Sequence, residues 1–177
     1  MCFALSLKFL GGAKMHFGVK FITKAAIIAA IYAAVTVLLQ PISFGPVQFR
    51  VSEALTILPV IMPEAIPGLF VGCLIANLLG GGVLLDVIIG SLATLGAALA
   101  TRCLRKYIPL AAAMPVVFNG ILVGPVVYYC YVMGSSPFSL GTLLFTCLTV
   151  AIGEVLVLYT LGLLLYKALK NTPLARG

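Results

Sequence analysis

In a chain of 177 residues, 63% hydrophobic and 8% charged, six side chains are polar where their neighbours are not: Arg50, Glu53, Asn77, Asp86, Asn119 and Glu154. Each lies inside or at the mouth of an apolar segment. A charged group at the centre of a membrane span costs about 2.5–3.5 kcal/mol on insertion scales, so it faces a partner or a polar interior rather than lipid. Carboxylates accept paired N–H donors, and an amide or guanidinium donates to carbonyl oxygens. The set suits ligand or proton binding. It does not suit bond-making chemistry, because the chain has four acids, no Ser or Cys beside a base, and one histidine, His16, outside the apolar segments. The cysteines, Cys2, Cys73, Cys103, Cys130 and Cys147, are scattered without a Cys-x-x-Cys, so they read as small apolar packing residues and imply neither disulfide nor metal. No Gly-x-x-x-x-Gly-Lys-Ser/Thr loop is present, so a nucleotide-driven process would need its ATPase from another chain.

The elements that must position these groups are membrane helices. So high an apolar share, with so little charge, is far from a soluble domain, and the mean hydropathy is +1.24. The expected fold is an all-α integral membrane protein, a compact bundle of six transmembrane helices in the cell membrane. Apolar runs cover about 21–39, 50–62, 66–79, 83–101, 108–131 and 140–165. The second and third are short for a span of about 20 residues, and are expected to break or to lie partly inside the bundle. Pro109, Pro115 and Pro125 are placed to kink the fifth. Residues 1–19 read as an extension or interfacial segment, with Met15 as a second start, 20–170 as the membrane domain and 171–177 as a tail.

The formal charge of +7 does not indicate nucleic acid, because the basic residues sit at segment ends. Lys20 and Lys24, then Arg102, Arg105 and Lys106, then Lys167, Lys170 and Arg176 fall on one side of a six-span topology. The positive-inside rule makes that side, and both termini, cytoplasmic. Arg50 is the exception, on the outer side. Apart from Glu64, which reads as a solvated acid at a helix start between Pro63 and Pro67, every acid then lies between midplane and outer surface. One polar cavity, open outward and closed inward, is expected.

Each residue also has a purely structural reading. Arg50 and Glu53, three apart on one helical face, would pair with each other. Asn77 and Asn119 would make helix-to-helix hydrogen bonds, and Asp86 would decorate a helix start. Glu154 is hardest to explain this way, being deep in an apolar run with no basic neighbour.

Small residues form a second pattern. In "KAAIIAAIYAAV", Ala25, Ala29 and Ala33 make one row at spacing four, and Ala26, Ala30 and Ala34 the next. The double row is wider than one neighbouring helix needs, which points to a docked partner chain. Gly68, Gly72, Ala76 and Gly80 make a row suited to internal packing.

From about Met15 onward the chain resembles the substrate-binding S component of an energy-coupling factor (ECF) transporter, a class of ABC importer. Its most specific stretches, "QFRVSEALTILPVIMPEAIPGLFVGCLIANLLGG" and "LLDVIIGSLATLGAALAT", resemble the QueT family, associated with uptake of queuosine precursors. The resemblance implies capture of a 7-deazaguanine base, such as queuine or its 7-cyano or 7-aminomethyl precursor. It also implies docking through the alanine rows onto a transmembrane coupling subunit that carries two ATPase subunits. No cofactor is then expected in this chain, since the partners use the ATP. For such a ligand one carboxylate, Glu53 or Glu154, would accept the ring N–H and exocyclic amine. Asp86 would meet a cationic aminomethyl group, and Asn77, Asn119 or Arg50 would donate to the carbonyl. Phe49, Phe44 and Tyr128 are available for stacking. Two other readings compete: an S component for another vitamin or purine-like compound, and a stand-alone proton-coupled carrier using Glu154.

Overall fold

A computed structural model describes residues 18–44, 49–133 and 138–172. The readings of His16, Cys2 and Met15, and most of the expected terminal segments, lie outside these residues. Helix α1 (Val19–Leu38) is followed by a single helical turn, Gln40–Ser43, and then by a 3₁₀ helix, Val51–Val60. Helices α2 (Ala65–Leu79), α3 (Leu84–Cys103), α4 (Ile108–Val132) and α5 (Leu140–Leu169) complete the fold. No strand occurs among the described residues. Four helices, α1, α3, α4 and α5, are long and apolar enough to cross a membrane, and two of the expected spans are shorter than that.

Those two are matched to each other. A 3₁₀ helix rises about 2.0 Å per residue, so the ten residues of Val51–Val60 reach about 20 Å. The fifteen residues of α2 reach about 22 Å as an α-helix. Runs of 3₁₀ beyond three or four residues are uncommon, and local chemistry favours this one. In an α-helix the Pro59 ring would clash with the carbonyl four residues back, and Thr56 Oγ1 donates to the Glu53 carbonyl, three residues back, at 2.6 Å. Ser52, Glu53, Ala54, Thr56, Ile57, Leu58 and Pro59 are all buried. The 3₁₀ helix touches every one of α1 to α5. At its end, Arg102 Nη1 donates to the carbonyls of Pro59 (2.9 Å) and Val60 (3.1 Å), which a helix leaves without partners.

With lipid outside, close packing replaces the hydrophobic effect as the force between helices. The α1–α2 contact relies on glycine. A Cβ at Gly68 would sit 2.7 Å from the Ala25 carbonyl oxygen, and one at Gly72 would sit 2.9 Å from both the Ala29 oxygen and Tyr32 Cβ. The double alanine row therefore divides. Ala29 and Ala33 are buried and Ala25 half-buried, so that row is taken by α2 within the chain and is not free for a partner. Ala26, Ala30 and Ala34 are exposed.

The two ends of the bundle differ in charge. Lys24 of α1 lies 3.1 Å from Glu64, just before α2, so Glu64 is ion-paired and largely buried rather than solvated as expected. Leu165 and Leu169 of α5 pack against the apolar cluster that includes Leu58, Met62, Ala65 and Leu69. Arg102 closes the Lys24 end from α3. Lys24 and Arg102 thus share one end, and at the opposite end Gln40 Nε2 donates to the Gly80 carbonyl at 3.0 Å.

Gly72→Val should lower the stability of the detergent-solubilised protein by about 1–3 kcal/mol through overpacking. Gly141→Ala, whose Cβ would meet only Ser139 Oγ at 3.8 Å, should leave it unchanged. Thermal unfolding of both variants checks the pair; equal melting temperatures would mean that α1 and α2 do not need the close approach.

Candidate functional site

The turn between α2 and α3 brings Asn77 and Asp86 together. Gly81 takes φ 74°, a left-handed conformation that glycine adopts at no steric cost, and the Gly82 N–H donates to the Asn77 carbonyl at 2.9 Å. The end of α2 then lies against the start of α3, and Asn77 Nδ2 donates to the Asp86 carbonyl at 3.2 Å. Arg50, entering just before the 3₁₀ helix, donates from Nη2 to Asp86 Oδ2 at 3.3 Å and from Nε to the Ser43 carbonyl at 3.4 Å. The Phe44 ring lies 5.3 Å from the guanidinium carbon, within cation–π range. One turn beyond Asp86, Gly90 keeps a notch open. A Cβ there would sit 3.2 Å from Asn77 Nδ2, 3.3 Å from Asp86 Oδ1 and 4.0 Å from Arg50 Nη1.

The expected Arg50–Glu53 pair does not form. In the 3₁₀ helix, Glu53 points to α1 and accepts from Tyr32 OH at 2.5 Å. Beside it Thr36 Oγ1 and Ser52 Oγ are 2.6 Å apart. Tyr32, Thr36 and Ser52 were not among the residues expected from sequence. The available signal was the spacing of Tyr32 and Thr36, one helical turn apart on an alanine-rich helix. Cys73 is a buried free cysteine whose sulfur accepts from Thr94 Oγ1 at 3.4 Å and Asn77 Nδ2 at 3.6 Å.

On the other side of the 3₁₀ helix, Asn119 Nδ2 donates to Glu154 Oε1 at 2.6 Å, joining α4 to α5. Asn119 opens a π-helical turn, Asn119–Val123, that precedes Pro125. The wider turn relieves the clash between the proline ring and the carbonyl four residues back, and so answers the expected kink. Glu154 lies within electrostatic reach of Glu53 and Arg50. Tyr128 is buried, its hydroxyl accepting from the Ser139 N–H at 2.9 Å and its ring meeting Phe138 edge-on at 6.0 Å. Phe49 is half-buried, and its backbone N–H donates to Ile42.

Instead of lining an open cavity, the polar groups are enclosed. Glu53, Asn77, Asp86 and Glu154 are at most 7% exposed. A shallow groove of about 250 Å³ at Val19, Lys20, Thr23 and Lys24 lies at the far end of α1 and holds none of them. Yet the enclosed network is incomplete. Glu53 Oε2, Asn77 Oδ1, Asp86 Oδ1, Glu154 Oε2 and Ser43 Oγ are buried with no hydrogen-bond partner within the protein. An unmet buried polar group costs about 1–3 kcal/mol. Four of the five are an amide oxygen and carboxylate oxygens, which when ionised only accept, so the network fits a small molecule rich in N–H donors. No group of three His, Cys, Asp or Glu residues among the described residues is arranged to hold a metal.

A family model described as "QueT transporter" matches residues 22–171. The protein named "Queuosine precursor transporter QueT" of Lactococcus lactis subsp. cremoris (strain MG1363) is 42% identical over 76 residues, covering 42% of this chain and 44% of that protein. The aligned part thus spans less than half the length of that relative. No solved structure matches.

Removing one partner of a buried ion pair strands the other, at a cost of about 3–5 kcal/mol. Asp86→Asn should therefore destabilise the purified protein strongly, and Arg50→Met/Asp86→Asn less than Asp86→Asn alone. A double-mutant cycle in thermal stability measures the coupling. Additive effects would show that the 3.3 Å pair carries none.

Proposed function

The chain belongs to the QueT transporter family, and from that premise we propose that it is the membrane-embedded substrate-binding subunit of an ECF-type importer. Its ligand is a queuosine precursor, a 7-deazaguanine base, and partner subunits hydrolyse the ATP. The protein is a multi-pass membrane protein. In this reading the 3₁₀ helix and α2 complete a six-segment bundle with both termini in the cytoplasm, the end bearing Lys24 and Arg102.

The observation that carries the reading is the set of unpaired acceptors on Glu53, Asn77, Asp86 and Glu154. A deazaguanine edge presents a ring N–H and an exocyclic amine side by side, and one carboxylate accepts both. The closed packing corresponds to an occluded site that opens to admit the base. For the coupling subunit, the free surface is the exposed row Ala26, Ala30 and Ala34, whose small side chains let a second helix approach.

Queuine, 7-cyano- or 7-aminomethyl-7-deazaguanine should raise the melting temperature of the purified protein. Binding to the folded state alone adds about 2.7 kcal/mol at a ligand concentration 100 times Kd. Stabilisation by riboflavin, thiamine or biotin, with none from the deazaguanines, would overturn the substrate class. Uptake by the protein expressed without coupling subunits, abolished by a protonophore, would favour a proton-coupled carrier instead.

Ala30→Leu and Ala34→Leu should abolish co-purification with the coupling subunit while leaving ligand-induced stabilisation intact. Assembly that survives both substitutions would assign this row to lipid.

A further inference from the structure

The enclosed network is unbalanced in charge. It holds three carboxylates, Glu53, Asp86 and Glu154, and one cation, Arg50. Arg50 is committed to Asp86 at 3.3 Å, and among the described residues neither Glu53 nor Glu154 is in an ion pair. Each instead takes one neutral donor, Tyr32 OH on Glu53 and Asn119 Nδ2 on Glu154, and each keeps a second oxygen with no partner. The two acids come from different elements and lie within electrostatic reach of each other.

A neutral donor satisfies one lone pair on each acid and leaves the charge. Burying two ionised carboxylates near each other is opposed by desolvation and by repulsion, unless a positive charge joins them. The missing partner must combine positive charge with more than one N–H donor. A protonated primary amine has both, with three donors on one compact cation. Tyr32 and Asn119 supply neither charge, and Arg50 has no free claim on either acid that outweighs Asp86.

We infer that the site selects, among 7-deazaguanine precursors, one bearing a protonated amine, with Glu53 and Glu154 as its shared counter-charge. The inference rests on the proposed function above and goes beyond it by dividing the three acids: Asp86 belongs to Arg50, and the other two belong to the ligand. A proton shared between Glu53 and Glu154 would remove the imbalance without any ligand charge, and the same measurement separates the two.

Isothermal titration of the purified full-length protein with 7-aminomethyl- and 7-cyano-7-deazaguanine compares one ring system with and without the cation. The aminomethyl base should bind at least about tenfold more tightly, as expected for a close buried charge contact. Glu154→Gln and Glu53→Gln should each shrink that ratio, costing the aminomethyl base more affinity than the cyano base, because they remove charge and keep shape. Equal affinities, or tighter binding of the cyano base, would overturn this inference and leave the proposed function standing. Binding of neither base would overturn both. If a variant cannot be purified folded, the wild-type ratio alone decides.

Discussion

A single buried 3₁₀ helix, Val51–Val60, sets the geometry of everything around it. It is largely buried and touches each of α1 to α5, so its position fixes theirs. Both of its ends are held by arginines. Arg102 takes the carbonyls at one end, and Arg50 at the other reaches across to Asp86. Three-residue spacing stacks side chains in rows rather than spiralling them. Arg50 stands outside those rows, in extended backbone just before the helix, so it and Glu53 serve different partners on α3 and α1.

The membrane makes this arrangement consequential. In water, a carboxylate without a partner would hydrate. Inside an apolar bundle it must be paired or neutralised, or it must face a cavity. The network at the 3₁₀ helix meets part of that demand with Tyr32, Asn119 and Arg50, and leaves acceptor atoms on four side chains without donors. Incomplete polar networks are costly in a static protein. They are useful in a binding protein, because the ligand supplies the missing donors and the unmet cost becomes affinity.

Helix α1 joins the two halves of the proposed function. Its inner face carries Tyr32 and Thr36 to Glu53 and Ser52, and its outer face carries Ala26, Ala30 and Ala34. Between them, Ala29 and Ala33 sit against Gly72 and its neighbours on α2 at near-contact distance. A helix so tightly packed moves as a unit with α2 or not at all, since close-packed interiors deform in discrete steps.

Much was legible in the sequence because membrane insertion writes its rules along the chain. Apolar run length marked the helices, basic residues marked one end, and rare polar residues marked the interior. Arg50, Glu53, Asn77, Asp86, Asn119 and Glu154 were therefore identifiable as buried groups before any contact was known. Their partners were not. Spacing of three suggested an Arg50–Glu53 pair on one helix, but the helix begins at Val51 and leaves Arg50 in extended backbone, a boundary that packing decides. Likewise, two alanine rows of equal pattern could not be told apart until α2 covered one of them. One-dimensional chemistry determines which groups must leave lipid and water; only packing in three dimensions decides which group each one meets, because that choice is made by distances between segments far apart in the chain.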